Sequence, residues 1–209
     1  MMQEKGKADM NTMNQIARTF SPECAGIEHK TENSSGQDIH IRIATSADWN
    51  RLAQIYNEAI DSGRSTMDLI PVEAGYFRKL VDRSSPRECL LTAEHAGHVA
   101  AWGIVKQYSD RRGYALACET SVYVAEAYHG RGVGSVLQSA VIQHAWGFGY
   151  RHLVAKILAV NETSIRFHYR FDYHIAGIQR KIGFLNGIWH DIVIMQRLLT
   201  DERPKESTS

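Results

Sequence analysis

The sequence predicts a mixed α/β (α+β) domain: a mostly antiparallel central sheet of about seven strands, flanked by about four helices. Three observations lead there. Period-two apolar alternation and helical spacing interleave in the order β-α-α-β-β-β-α-β-α-β-β. Three consecutive strands suit antiparallel neighbours, and the last of them feeds a strand, glycine turn, helix, strand unit, so the sheet is mixed with helices on both faces. At 209 residues, 44% of them apolar, the chain has length for one buried core and an appendage.

Residues 1–38 are polar and rich in Asn, Thr, Ser, Glu and Gln. Within them MNQIARTF suits a short helix and Thr31–Asp38 (TENSSGQD) reads as linker, so a mobile extension is expected. The folded domain is expected over 39–200, and 201–209 is a polar tail. Ile39, Ile41 and Ile43 alternate with His40 and Arg42 as a half-buried strand. Thr45 and Asp48 have capping-box spacing, with Asp in place of Glu; Trp49, Leu52, Tyr56 and Ala59 follow at helical spacing. Pro71 suits the first turn of a second helix with Val72, Tyr76 and Leu80 on one face. CLLTAEH and HVAAWGIVKQY are strands around a tight turn at Ala96-Gly97. LACETSVYVA is a strand that enters the glycine turn, and a helix runs from about Gly134 to Phe148. HLVAKILAV is an apolar strand, ETSIRFHYRF a short helix after Asn161, and YHIAGIQRKI and IWHDIVIMQRLL close the sheet.

Composition narrows the function. A formal charge of +1, with both signs spread along the chain, argues against nucleic-acid binding by phosphate neutralisation. Cys24, Cys89 and Cys118 form no CxxC pair, so neither a disulfide framework nor a zinc site is indicated and no metal is expected. No run approaches the ~18 apolar residues of a membrane span. MMQEKGKADM lacks the apolar stretch of a secretory signal, so a cytoplasmic protein without a membrane partner is expected.

The chemistry concentrates in CETSVYVAEAYHGRGVGSVL, Cys118–Leu137. A turn with glycine at 130, 132 and 134 can bend sharply and approach a ligand closely, because glycine lacks Cβ. Amides from Arg131 to Ser135 at a helix start would then form a nest for pyrophosphate. A dinucleotide turn wants GxGxxG with an acid about 20 residues on, and a P-loop ends in Gly-Lys-Ser/Thr. This chain has GxGxG, no acid after the next strand, and Val-Gly-Ser. Glu119 is a lone carboxylate among neutral neighbours on the strand before the turn. It either faces solvent or is buried, and burial would raise its pKa and make it a better general base. Cys118 alternates to the opposite face.

HGRGVGSVL after SVYVA resembles the acyl-CoA loop, Arg/Gln-x-x-Gly-x-Gly/Ala, of the GNAT superfamily of N-acetyltransferases. Gly132 and Gly134 match, while His129 stands where Arg or Gln is usual. NETSIRFHYRFDY resembles that superfamily's Asn-x-x-Ser segment, with Asp172-Tyr173 in place of Gly-Phe and His168 where many members have a tyrosine. GIQRKIGFLNGIWHDIVIMQRLL resembles the closing segment of one branch, the phosphinothricin and methionine sulfoximine acetyltransferases, through Gly177, Gly183, Gly187, Trp189, Asp191, Met195 and Gln196. YNEAI and Arg111-x-x-Tyr114 agree with that branch; Ala117-Cys118 and Leu185-Asn186 depart from it. The resemblance spans about residues 39 to 200.

It implies a GNAT fold that uses acetyl-CoA to acetylate the α-amine of a small amino acid or analogue, directly in a ternary complex. Glu119 would be the base and His168 the general acid. The backbone of Val122, Tyr123 and Val124 would bind pantetheine like an added strand. His129, Gly130, Arg131, Gly132, Val133, Gly134 and Ser135 would take the pyrophosphate. Asn161 and Ser164 would face the pantetheine arm, with a helix N-cap as the other reading of Asn161. Arg111 and Tyr114 would grip a carboxylate or phosphinate. His190 would face the pocket or pair with Asp191. A homodimer is implied as well. Another amine (a polyamine, a peptide N-terminus, an antibiotic) stays open, as does a non-catalytic acyl-CoA-binding module, which the presence of Glu119 disfavours.

Overall fold

The computed structural model describes residues 29–32 and 38–199. The strands are β1 His29–Glu32, β2 Asp38–Ile43, β3 Cys89–His95, β4 His98–Gln107, β5 Ala117–Val124, β6 His152–Leu158, β7 His174–Leu185 and β8 Ile188–Leu198. The helices are α1 Trp49–Asp61, α2 Ala74–Asp82, α3 Val133–Gly147 and α4 Glu162–Tyr169. One sheet holds all eight strands in the order β1-β2-β3-β4-β5-β6-β8-β7, and only β5 and β6 pair in parallel. The mixed sheet with four helices is the expected architecture. The eighth strand is β1, four residues of the expected extension, which pairs antiparallel with β2. The rest of that extension, including the MNQIARTF helix, and the tail lie outside the described residues.

Each face of the sheet has its own core. On one, Val133, Leu137, Val141 and Ala145 of α3 pack with Leu91, Val105, Cys118 and Leu153. On the other, Leu52, Ile55 and Tyr56 of α1 and Phe77 of α2 pack with Leu90 and Trp102. Helix α3 lies so close to β4 that a Cβ on Gly103 would come within 2.8 Å of the Val141 side chain.

Local chemistry sets the ends of the elements. A 3₁₀ turn, Ser46–Asp48, leads into α1, and the Asp48 carboxylate accepts the Thr45 N–H at 2.7 Å and its hydroxyl at 3.1 Å. The same carboxylate receives both terminal nitrogens of Arg42, at 2.7 and 2.8 Å. Arg42 also donates to Glu94 at 2.6 and 2.8 Å, so one guanidinium ties β2, β3 and the start of α1 together. The β3–β4 turn has φ of +50° at Ala96 and +78° at Gly97, the two positive values of a tight hairpin. Helix α2 begins at Ala74, not at Pro71. The Asn57 amide brackets the Val72 backbone, accepting its N–H at 2.8 Å and donating to its carbonyl at 3.0 Å, which holds that segment outside the helix. Its buried residue is Phe77; Tyr76, expected on the core stripe, is exposed.

Candidate active site

Strands β5 and β6 pair over only three positions, Ala117 with His152, Cys118 with Leu153 and Glu119 with Val154. Beyond Glu119 the two strands part, although β5 continues to Val124 and β6 to Leu158. Val122, Tyr123 and Val124 pair with β4 along one edge, and their other edge faces the opening. An open backbone edge of this kind accepts an extended ligand as an added strand.

The glycine turn closes the far end of the opening. Gly132 has φ +80° and caps α3, a conformation that costs a residue with a Cβ about 1–2 kcal/mol. A Cβ on Gly134 would sit 3.1 Å from the Val124 side chain and 3.8 Å from the Phe167 ring, so the end of β5, the start of α3 and α4 meet here. The expected anion nest is narrower than Arg131–Ser135. The Ser135 N–H is taken by the Gly132 carbonyl at 3.0 Å, and that of Arg131 reaches Tyr128 O at 3.4 Å. What remains centres on Gly132, Val133 and Gly134, with the Arg131 guanidinium over the Tyr128 ring. His129 braces the turn: its Nε2 donates to the Val124 carbonyl at 3.0 Å.

Glu119 is the last paired residue before the strands separate, and the fold surrounds it with cations the local sequence does not contain. Lys106 stands opposite it in the β4–β5 ladder, with Nζ 3.4 Å from Oε1. Lys156 reaches across from β6, with Nζ 2.7 Å from Oε2. Burial pushes the carboxyl upward, but the Lys156 hydrogen bond and the two ammonium charges outweigh it, and the net shift is downward. The expectation of a raised pKa is therefore wrong: Glu119 is half-enclosed, yet ionised throughout the neutral range. Cys118 does point to the opposite face, buried in the α3 core, where desolvation raises its thiol far above the ordinary range and keeps it inert.

The expected acceptor residues divide. Tyr114 closes a short turn, Arg112–Tyr114, between β4 and β5, and its ring meets that of Tyr108 at 5.6 Å. The Tyr108 ring in turn lies 6.0 Å from Lys156 Nζ, so this segment adjoins one of the two lysines at Glu119. Arg111 is exposed at the start of the same turn. His190 is half-buried opposite Gly183 in the β7–β8 ladder. It does not pair with Asp191, whose carboxylate takes Arg180 at 2.8 Å and the Lys181 N–H at 2.7 Å. Asn161 is an N-cap, accepting the Ser164 N–H at 3.0 Å.

His168 is buried, edge-on to Tyr173, with Nδ1 donating to the Ser164 carbonyl at 2.8 Å. That bond fixes the proton on Nδ1, and desolvation lowers the ring's pKa. A neutral ring with a bare Nε2 has no proton to give, so the geometry speaks against the general-acid role expected of it.

Two shallow hollows, of about 350 and 560 Å³, lie along α1 and include neither Glu119 nor the glycine turn. The site is an open split in the sheet. Among the described residues no group of three or more His, Cys, Asp or Glu is arranged to hold a metal, and no helix is long and apolar enough to cross a membrane. Sequence reasoning missed Lys106, Lys156 and Tyr108. One signal was available: Lys156 is the single charge in the apolar run HLVAKILAV.

A sheet split beside a glycine turn suits a group-transfer enzyme whose donor lies between strands with its phosphates at a helix start. Residues 41–194 match the Acetyltransferase (GNAT) domain family. The chain is 29% identical over 159 residues to the phosphinothricin N-acetyltransferase of Streptomyces viridochromogenes, covering 76% of this chain and 87% of that protein. It is 29% identical over 165 residues to the L-methionine sulfoximine/L-methionine sulfone acetyltransferase of Pseudomonas paraeruginosa, covering 78% and 96%. A solved GNAT superfamily phosphinothricin acetyltransferase from Sinorhizobium meliloti, in complex with acetyl-CoA, superposes with a TM-score of 0.72 at 25% identity, over 80% of this chain and 93% of that one. The chain belongs to the GNAT acetyltransferase family and is an acetyltransferase that uses acetyl-CoA.

Proposed function

We propose that this acetyltransferase acts on the α-amine of a small amino acid or analogue, of phosphinothricin or methionine sulfoximine type. The observation behind this reading is the position of Glu119, an ionised carboxylate at the point where β5 and β6 part, beside the Tyr108–Tyr114 segment. The named activities of the two curated relatives support the acceptor class.

Acetyl-CoA supplies an acetyl group activated as a thioester. The open edge of Val122–Val124 receives the pantetheine arm, and the amides around Gly132–Gly134, with Arg131, receive the phosphates. Holding amine and thioester together supplies much of the acceleration. Glu119 takes the ammonium proton, directly or through one water. The freed nitrogen then forms its C–N bond as the C–S bond breaks, and the proton that the nitrogen sheds on becoming an amide passes through water to the thiolate. Transfer is direct, because Cys118 is sealed on the far face of β5 and offers no acyl carrier.

The test is CoA release, followed with a thiol reagent, over a panel of phosphinothricin, methionine sulfoximine, methionine sulfone, a polyamine and a peptide with a free N-terminus. Turnover is expected with the amino-acid analogues; turnover confined to the polyamine or the peptide would overturn the reading. We also propose a cytoplasmic homodimer. Exposed Ile182, Phe184, Ile188 and Trp189 on the β7–β8 hairpin support self-association. Light scattering at micromolar protein should give twice the chain mass.

A further inference from the structure

The charges around Glu119 are arranged for an anion. One carboxylate faces two ammoniums, so the cluster is net positive. The carboxylate is only 15% exposed while Lys106 and Lys156 are 47% and 48% exposed, so the cations present themselves to solvent and the carboxylate lies behind them. An ammonium entering alone meets like charge before it reaches Glu119. A carboxylate or phosphinate meets two cations, each with donors left after its bond to Glu119. The titratable groups that face Glu119 are Lys106 from β4 and Lys156 from β6, with Tyr108 beyond Lys156 and Tyr114 beyond Tyr108. The neighbours of Glu119 along its own face of β5, Ala117 and Ser121, carry no charge.

We propose that Lys106 and Lys156 are the receptor for the acid group of the amino-acid acceptor, and that seating this group draws the ammoniums away from Glu119 and frees it to take the amine's proton. This rests on the acceptor class argued above. It turns the clamp into a selectivity device: without an acid group on the acceptor, Glu119 stays paired and a weak base. Lys156 is the stronger partner by its shorter bond, so it should contribute more than Lys106.

The experiment compares methionine sulfone with its carboxamide in wild type, Lys156→Met, Lys106→Met and the charge-keeping Lys156→Arg. Circular dichroism checks that each variant is folded. Wild type should prefer the acid, and Lys156→Met should lower the acid-to-amide ratio of kcat/KM by about tenfold or more, chiefly through KM. Lys156→Arg should keep most of the preference. An unchanged ratio in both methionine variants overturns the receptor. A second readout does not need turnover. The amine-free acid 4-(methylsulfonyl)butanoate is added to protein carrying carbon-13 glutamate, with Glu119→Gln to assign the signal. The Glu119 carboxyl should titrate at higher pH when the probe binds; no movement overturns its release. If wild type acetylates neither compound, the acceptor class fails instead, and the receptor stands or falls on calorimetry: probe binding lost in Lys156→Met upholds it, and unchanged binding overturns it.

Discussion

Asp48 and Glu119 are both carboxylates held by cations, and they are held for opposite ends. Asp48 is locked: its side chain is 7% exposed, both of its oxygens meet the planar Arg42 fork, and it caps the entry to α1 as well. Glu119 is surrounded by two separate ammoniums on flexible stems, one of them at a loose 3.4 Å. A guanidinium fork matches a carboxylate bidentately and gives little up to a competitor; an ammonium is a compact point charge that can turn to a new acceptor. The arginine site ties three elements together, while the lysine site stands in an opening of the sheet.

Breaking the arginine site should give the largest effect on stability. Asp48→Asn takes from Arg42 one of its two carboxylate partners, leaving it Glu94, and weakens the cap, at a cost of about 2 kcal/mol in urea unfolding, the size of a lost charge-assisted hydrogen bond. The pH dependence sharpens the point. The Arg42 hydrogen bonds outweigh burial and hold the Asp48 carboxyl below its ordinary value. The folded state therefore binds that proton less readily than the unfolded chain. The stabilisation is complete above the unfolded value, about 3.9, and is lost as pH falls through the lower folded value. Wild type should lose this contribution below about pH 4, and Asp48→Asn should not.

Glu119→Gln should behave the other way round. Its stability should change by less than about 1 kcal/mol, because half-exposed lysines swing out to water. Its turnover at pH 7 should fall by about 100-fold, the usual size of a lost general base. The deficit should shrink as pH rises, because the amine then loses its proton unaided. Equal activity of the two proteins at every pH would remove Glu119 from the chemistry.

That contrast also marks what could be read from the sequence. The order of elements, the hairpin at Ala96-Gly97, the capping pair Thr45–Asp48 and the opposite facing of Cys118 and Glu119 were all legible, because each depends on residues close along the chain or on a fixed period. The environment of Glu119 was not. Lys106 is 13 residues away and Lys156 is 37 residues away. Only strand register brings them to one carboxylate, so its neutral sequence neighbours suggested a raised pKa where the structure shows a lowered one. His168 was misleading for a related reason. Its position in the chain matched a proton donor, but the tautomer is set by the Ser164 carbonyl one helical turn back.

A smaller change tests the other wall of the cleft. Gly132→Ala forces a Cβ into a left-handed residue at the start of α3, with a strain of about 1–2 kcal/mol. If the amides around it hold phosphates, KM for acetyl-CoA should rise about fivefold or more, while KM for the amine changes little. A shift confined to the amine would place the phosphates elsewhere.

The smallest effect is expected at His168, and its direction separates packing from catalysis. A general acid removed should lower kcat by about 100-fold and erase a limb of the pH profile. A neutral ring held by Ser164 predicts something else for His168→Asn: kcat within about threefold of wild type and a modest loss of stability at pH 7.5 from the smaller side chain. Burial lowers the His168 pKa, so the folded state refuses a proton that the unfolded chain accepts. The resulting stabilisation is complete above the unfolded value, about 6.5, and drains as pH falls toward the lower folded value. Between pH 7.5 and 5.5 the gap in unfolding free energy between wild type and His168→Asn should therefore narrow. A gap that widens on acidification would mean that the folded protein welcomes the imidazolium, and would restore His168 as a donor.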